Sequence, residues 1–582
     1  MRPIVLQGVS GDLIGYYHPP NEQVSPIGDI LLAPAFAEEM NRCRSMVTKQ
    51  AEALASAGMG TLVLDMHGTG DSPGEFHEGD WENWLGDLRC GIDWLRMHGN
   101  GCQAIWGVRL GALMAAHLAA QDRGIHQLLL WMPVINGKSY WTQFLRIRIA
   151  SEMALPDGVK STQALRQQSA DGLVVETSGY KVGSRLAIQL DSLEMPPPEQ
   201  LINKTISWLE VGASAESTVP RANALLAESW RSKGVPVSIS QVVGPQFWVV
   251  HERAVAISLI DASSIAVKAW PSPITIPLPK LDHTFEPPKE NLTSSVYPVS
   301  FPCVDAQLAG IVHRGRSDAR IGVVIVVAGG PQYRVGAHRQ FVSMARMFAS
   351  NGYPVMRFDL RGMGDSSGEY LGFEHSGFDV RAAIDEFLRL EPSVQEVGLF
   401  GECESASGIL FYAGQDPRVG RIALANPWVR TPGVQAEAIL KHYYLNRLRS
   451  RRFWLSVWSG EFKLGASLAS FVKVFTTFMR GRKSTRAKMG KLDADSFDHL
   501  PLPSRTAEGL RRFGGKVLLL MSGRDLIARE FDEVTKVSKD WRGLLSSSRI
   551  TRKDIADADH TFSKPDAKAE AQKALLAWLV DK

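Results

Sequence analysis

Cys403 stands in the stretch Phe400-Gly401-Glu402-Cys403-Glu404-Ser405, between an apolar run, Val397 to Phe400, and a small-residue segment, Ala406 to Ala413. The run has the make-up of a short buried strand, and the segment reads as the start of a helix. A side chain on the sharp turn between strand and helix sits in strained backbone, and small flanking residues give it room. A cysteine so placed attacks carbonyl carbons through its thiolate. With an ordinary pKa near 8.5, only a few per cent of a thiol is ionised at pH 7. A helix start favours the anion by about 0.3–1 kcal/mol. Glu402 and Glu404 oppose it unless they point away, and a histidine partner would matter more than either effect.

The histidine is offered by Ile555-Ala556-Asp557-Ala558-Asp559-His560-Thr561-Phe562, just before a helical segment, Asp566 to Val580. Upstream, the apolar strand Lys516 to Met521 runs into Ser522-Gly523-Arg524-Asp525. Asp525 is the candidate acid, with Glu530 and Asp532 as competitors. Cys403, Asp525 and His560 follow the nucleophile–acid–histidine order of the α/β-hydrolase layout, whose elbow is Gly-x-nucleophile-x-small residue. The acid of such a set orients the imidazole and offsets its charge. An oxyanion hole here uses the backbone N–H of Glu404. Its second donor comes from Ala328-Gly329-Gly330-Pro331-Gln332-Tyr333, where Pro331 has no N–H, which leaves Gly330 or Gln332.

These parts belong to the second of two copies of one pattern. Leu64-Asp65-Met66-His67-Gly68-Thr69-Gly70-Asp71-Ser72 matches Phe358-Asp359-Leu360-Arg361-Gly362-Met363-Gly364-Asp365-Ser366, an offset of 294 residues from Asp65 to Asp359. Trp106-Gly107-Val108-Arg109-Leu110-Gly111 falls opposite the Cys403 turn at the same offset. Such self-similarity means tandem repeats of a fold. In each copy a strand pair (Gly11 to Tyr17; Gln307 to His313) leads to an apolar strand (Asp29 to Ala33; Gly322 to Val327). A helix (Ser45 to Ala57; Arg339 to Ser350), a β-rich run (Thr61 to Asp65; Pro354 to Asp359), a glycine-rich turn, a helix and the elbow strand follow. Strands alternating with helices predict a mostly parallel sheet covered on both faces. Asp359, Gly362, Gly364 and Asp365 read as turn structure.

In the first copy the nucleophile position holds Arg109, which is always charged and is no nucleophile. The final strand there, Ser238 to Val243, meets no histidine before His251. Lys280-Leu281-Asp282-His283-Thr284-Phe285 resembles the His560 loop, but no long helix follows it. The first copy is therefore either a non-catalytic partner or a binding pocket. In the latter, Arg109 clamps a carboxylate or phosphate and the loop Phe36 to Arg42 adds contacts.

A chain of 582 residues exceeds one core. The expected domains are 1–269 (degenerate, Arg at the elbow), a Pro-rich linker at 270–292, and 293–582 with the cysteine elbow and a cap over about 435–501. The cap carries aromatic residues and a basic cluster, Arg480 to Lys491, that reads as a solvated loop or as a peripheral site for an acidic partner or anionic membrane surface. A net charge of +4 gives no reason to invoke nucleic acid. The five scattered cysteines suit a reducing compartment. No apolar run approaches a membrane span, and the N-terminal residues lack a signal peptide's apolar stretch. The expectation is a cytoplasmic protein without metal or cofactor.

The second copy resembles the type 1 hydrolases associated with the exosortase A system. The resemblance rests on Gly329-Gly330-Pro331-Gln332-Tyr333-Arg334-Val335-Gly336, the Arg357 to Ser366 stretch, the Cys403 elbow and Lys441-His442-Tyr443-Tyr444-Leu445. The first copy resembles the type 2 hydrolases of that system, through Pro34-Ala35-Phe36-Ala37-Glu38-Glu39-Met40-Asn41-Arg42 and Gly107-Val108-Arg109-Leu110-Gly111-Ala112. The resemblance implies two α/β-hydrolase domains in one bacterial chain, in a setting of exopolysaccharide production, with Arg109 as a trait of the type 2 pattern. Together these readings predict an ester or thioester hydrolase, or an acyltransferase, working through a Cys403 acyl-enzyme. Its substrate is small and acyl-bearing, and an exopolysaccharide precursor is a candidate acceptor. The competing expectation is a non-catalytic scaffold or binding protein.

Overall fold

The computed structural model describes residues 1–153, 158–271, 295–330, 332–430 and 498–580. The expected linker and cap lie almost wholly outside the described residues. The Arg480–Lys491 cluster, the Lys280–Phe285 and Lys441–Leu445 stretches, and Pro331 lie outside them entirely. The chain holds two mostly parallel eight-stranded sheets flanked by helices. It divides into two compact units, Met1–Gln395 and Glu396–Lys582.

In Met1–Gln395 the strands of the first copy are β1 (Arg2–Gln7), β2 (Asp12–His18), β3 (Gly28–Ala33), β4 (Met59–Leu64), β5 (Cys102–Val108), β6 (Gln127–Trp131), a separate hairpin of β7 (Val175–Thr177) and β8 (Tyr180–Val182), β9 (Thr205–Gly212) and β10 (Val237–Val243). The sheet order is β1-β2-β4-β3-β5-β6-β9-β10. Only β1–β2 and β2–β4 are antiparallel. Side chains alternate across the sheet, as strand geometry requires. Leu31, Leu62, Leu64, Ile105 and Leu128 join a core with Leu85, Leu88 and Leu95 of the helix Trp81–His98. Ile30, Leu32, Val63, Trp106 and Leu129 join another with Met46, Val47 and Leu54 of the helix Glu38–Ser56. Covering both faces buries β3 to β6 along nearly their whole lengths, which is why they read as continuous apolar runs. The first helix starts at Glu38, well before the expected Ser45. Glu38 and Glu39 fall in its first turn, where carboxylates favour a helix start.

The same unit contains the opening strands of the second copy: β11 (Val296–Cys303), β12 (Ala306–His313), β13 (Ile321–Val327) and β14 (Val355–Asp359). The β11–β12 and β12–β14 pairs are antiparallel and β13–β14 is parallel, repeating the scheme of β1 to β4. In Glu396–Lys582, β15 (Glu396–Glu402), β16 (Val419–Ala425), β17 (Lys516–Ser522) and β18 (Ile550–Ile555) run parallel side by side.

The division between units falls inside the second copy, not in the Pro-rich stretch, and its cause is visible in Met1–Gln395. The two glycine-rich turns are tight in the way their residues suggested. Gly70 and Gly364 have φ of 48° and 50°, and a Cβ on either would run into the carboxylate of Asp65 or Asp359. Those carboxylates accept the N–H of Asp71 and Asp365, each at 2.9 Å. The aspartates do more than shape turns. Arg44 pairs with Asp65 and Asp365, each at 2.7 Å. Arg334 pairs with Asp71 at 2.7 Å, Asp365 at 2.8 Å, and Asp359. Arg357 reaches Asp71 at 2.7 Å. Arg339 donates to the carbonyls of Gly68, Gly70, Ser72 and Gly74. The paired side chains are at most 2% exposed. Cations of one copy thus meet carboxylates of both, and the start of the second copy is welded to the first.

Two contacts show how the copies relate in this unit. Tyr16 donates its hydroxyl to the carbonyl of Gly310 at 2.8 Å, and Gln332 donates to Glu38 at 2.5 Å. Both contacts join the first copy to the opening segment of the second.

Candidate active site

Within Glu396–Lys582 the strand β15 ends in the elbow and the helix Glu404–Tyr412 follows at once. Cys403 sits at φ 59°, ψ −121°, which an L-residue adopts only under strain. The turn is held by its neighbours. The N–H of Cys403 donates to the carbonyl of Ala425 at 2.9 Å. Ser405 Oγ accepts the N–H of Glu402 at 2.8 Å and donates to the carbonyl of Glu402 at 2.8 Å. Gly401 is needed because a Cβ there would stand 2.9 Å from the amide nitrogen of Ala406 and 2.7 Å from Ile409.

The three sequence-picked side chains come together. His560 Nδ1 lies 2.8 Å from Asp525 Oδ2, and the imidazole is close enough to Cys403 to pull the pKa of its thiol down. Asp525 is the N-cap of the helix Leu526–Val537 and accepts from the N–H of Ala528 at 3.3 Å, so its carboxylate is fixed by the backbone. The competing acids are engaged elsewhere: Glu530 pairs with Arg430 at 2.8 Å and Asp532 with Arg552 at 2.7 Å. The backbone of Glu404 opens the helix after the elbow, where N–H groups point out of the helix start. Gly330 and Gln332 belong to Met1–Gln395, and there the side chain of Gln332 donates to Glu38.

Sequence reasoning missed Asn426 and Arg430, and left the direction of Glu402 open. Asn426, just past β16 at φ 45°, donates from Nδ2 to Ser522 Oγ at 2.9 Å and to the carbonyl of His560 at 3.1 Å. Its Oδ1 accepts the N–H of Ser522 at 2.9 Å. It ties β16, β17 and the histidine loop together; an asparagine between a strand and Pro427 was the available signal, since Asn tolerates left-handed backbone. Glu402 turns inward, 6% exposed, with Oε1 4.0 Å from His560 Nε2. Arg430 lies over the Trp428 ring at 5.0 Å and adds a positive charge near Cys403 and Asp525.

The electrostatics follow from this crowd of carboxylates. Burial alone would lower the His560 pKa, but its bond to Asp525, the nearby Cys403 and the charge of Glu402 raise it to about 11. Burial pushes the Cys403 thiol up, His560 pulls it down, and Glu404 and Glu402 add to the rise, leaving it above the ordinary value. Burial would raise Asp525, but its bond to His560 holds it below the usual carboxylate range. The imidazole is therefore charged at neutral pH, and ionising the thiol is the uphill step.

The first copy has the same elbow with different chemistry. Arg109 sits at φ 54°, ψ −117°. Its Nε lies 3.2 Å from Glu39, Nη1 donates to the carbonyl of Met132 at 3.0 Å, and the guanidinium lies 5.4 Å from the Trp248 ring centre. Tyr140 donates to Glu39 at 2.9 Å. Trp248 follows the end of β10 by as many residues as His560 follows the end of β18 (248 − 243 and 560 − 555). An arginine–tryptophan contact thus stands where the second copy has cysteine and histidine. A ligand anion at Arg109 would have to share it with Glu39.

The chain's two mostly parallel sheets flanked by helices have counterparts among solved structures. Structure comparison finds a Pyrococcus furiosus esterase at 15% identity, covering 49% of this chain and 90% of that one, with a TM-score of 0.33. It also finds the ferulic-acid-bound Est1E from Butyrivibrio proteoclasticus at 18% identity, covering 46% and 96%, with a TM-score of 0.32. A Pyrococcus horikoshii acylaminoacyl peptidase is similar at 16% identity, covering 48% and 40%, with a TM-score of 0.31. No family model and no curated protein matches the chain. Among the described residues, no helix is long and apolar enough to cross a membrane, and no group of His, Cys, Asp and Glu is arranged to hold a metal ion.

Proposed function

We propose that the second copy is an acyl hydrolase or acyltransferase for ester or thioester bonds, with Cys403 as nucleophile. The observation that carries this reading is the Asp525–His560 hydrogen bond beside Cys403 on a strained strand-to-helix elbow. In the first step the Cys403 thiol gives its proton to solvent, and the thiolate, paired with the imidazolium of His560, adds to the carbonyl carbon of the substrate. The oxyanion is met by the N–H of Glu404, and a donor of this kind is worth about 10²–10³ in rate. Collapse breaks the bond to the leaving oxygen or sulfur, which takes the proton from His560 Nε2. A thioester to Cys403 remains. His560, now neutral, removes a proton from water or an alcohol as that oxygen attacks the thioester; the thiolate leaves beside the re-formed imidazolium and takes a proton from solvent to restore the thiol. Asp525 holds the ring by Nδ1 throughout.

A saccharide hydroxyl is a chemically suitable acceptor, which fits the exopolysaccharide setting implied by the family resemblance. The first copy serves as a non-catalytic partner. This is supported by Arg109 and Trp248 in place of cysteine and histidine, and by the buried ion pairs that join it to the second copy. A screen of acyl esters and acyl thioesters of graded chain length, with Cys403→Ala as control, tests the function. Turnover that Cys403→Ala abolishes supports it; no turnover, or turnover unaffected by that change, refutes it.

A further inference from the structure

The imidazole of His560 has a carboxylate on each side. Asp525 takes Nδ1 at 2.8 Å, while Glu402 Oε1 stands 4.0 Å from Nε2, the nitrogen that must serve Cys403. Glu402 is the residue directly before the nucleophile. Its backbone is clamped through both N–H and carbonyl to Ser405 Oγ, so the buried carboxylate has little freedom to swing out. The sequence left open whether Glu402 points away from the turn; its carboxylate is buried and turned toward the imidazole. The other charges around the pair are Glu404 on the helix after the elbow, and Arg430, which is neutralised by Glu530. Asp559, next to the histidine, is bound by Ser563.

We propose that Glu402 is a positioning residue of this site, a second carboxylate that competes with the Cys403 thiolate for the Nε2 side of His560 and so restrains the nucleophile. The inference rests on the Cys403–His560 reading above and adds the group that governs when the thiol reacts. The physical argument is charge. A thiolate forming at Cys403 must do so beside a fixed anion. The imidazolium that would stabilise it is shared with that anion. Glu402 thus raises the cost of the free thiolate while keeping the imidazole protonated. In this arrangement the resting cysteine is a quiet thiol. Neutralising Glu402 moves the thiol's ionisation to lower pH. The same holds for a substrate group that draws the carboxylate away.

The test is the pH profile of Cys403 alkylation by iodoacetamide in the full chain, read site by site by mass spectrometry. Glu402→Gln, which keeps the shape and removes the charge, is expected to move the profile acidward by about one pH unit, and so to speed alkylation about tenfold below the midpoint. Glu402→Asp, which withdraws the charge by one methylene, is expected to shift it by less, and guards against a Gln variant that folds badly. A Glu402→Gln profile that stays in place or moves to alkaline pH overturns the proposal. His560→Ala is the separate control. If it leaves the Cys403 profile as in the native protein, the Cys–His reading itself falls. If it changes the profile while Glu402→Gln does not, only the role of Glu402 falls.

Discussion

Replacing Arg334 by methionine should destabilise the unit Met1–Gln395 by about 3–5 kcal/mol, the usual cost of removing one partner from a buried ion cluster. The structure says where that cost arises. Asp71 keeps Arg357 and Asp365 keeps Arg44, both at 2.7 Å. Asp359 loses its cation and retains only the N–H groups of residue 334, at 2.7 Å, and Asp365, at 2.9 Å. Burial already pushes the Asp359 carboxyl up to about 6, with Arg334 pulling it down. Without Arg334 its pKa rises further, and the carboxyl takes a proton instead of standing charged and alone. A raised carboxyl binds protons more readily folded than unfolded, so it costs stability as the pH climbs past its folded value. The deficit of Arg334→Met should therefore be larger at pH 8 than at pH 5. Urea denaturation followed by tryptophan fluorescence and circular dichroism at both pH values measures it. A deficit below about 1 kcal/mol, or one equal at the two pH values, would refute the reasoning that these charges are buried and mutually dependent.

Three further outcomes are expected. Asp525→Asn removes the Nδ1 acceptor and should slow acyl-enzyme formation by about 10³–10⁴, measured by stopped-flow with an activated acyl substrate; a loss under tenfold would count against Asp525 as the acid. Arg109→Ala should leave Cys403 alkylation unchanged while costing about 1–3 kcal/mol, since Glu39 keeps only Tyr140; a changed alkylation rate would give the first copy a catalytic part. His560, raised to about 11 from its ordinary value near 6.5, adds stability that is complete below about pH 6.5 and lost as the pH rises through about 11. The urea midpoint of the native protein should accordingly exceed that of His560→Gln at pH 6, with the margin shrinking toward pH 11; a constant margin would contradict the raised value.

What the sequence carried, and what it hid, follows from the reach of each signal. The elbow, the alternation of strands with helices, and the loops that hold Cys403, Asp525 and His560 were legible because each rests on a local pattern: an apolar run, a glycine, a cap, a loop before a helix. The 294-residue repeat supplied the rest of the fold. Asp359 and Asp365 were read as turn residues, which they are. Their ion pairs with Arg44 and Arg334 depend on packing between distant segments and leave no local trace. Asn426 works through groups on β17 and the histidine loop, again far apart in sequence. Trp248 could not be recognised as the stand-in for a histidine until the ends of β10 and β18 were known. The start of the first helix was misplaced because Glu38 to Arg42 look like a polar loop, although two carboxylates suit a helix N-terminus.

The central claim is that one thiol differs in kind from the other four. Burial holds Cys43 above its ordinary pKa and pushes Cys102 and Cys303 up to about 12, and Cys90 is raised as well; of the five, Cys403 is the thiol that a histidine pulls down. The most direct measurement is intact-protein and peptide mass spectrometry after a brief exposure to an acyl thioester probe near pH 9, where about half or more of an ordinary thiol is ionised. The account predicts a single acyl adduct on Cys403 that His560→Ala abolishes. Slow, equal modification of all five thiols, or an adduct indifferent to His560, would contradict it.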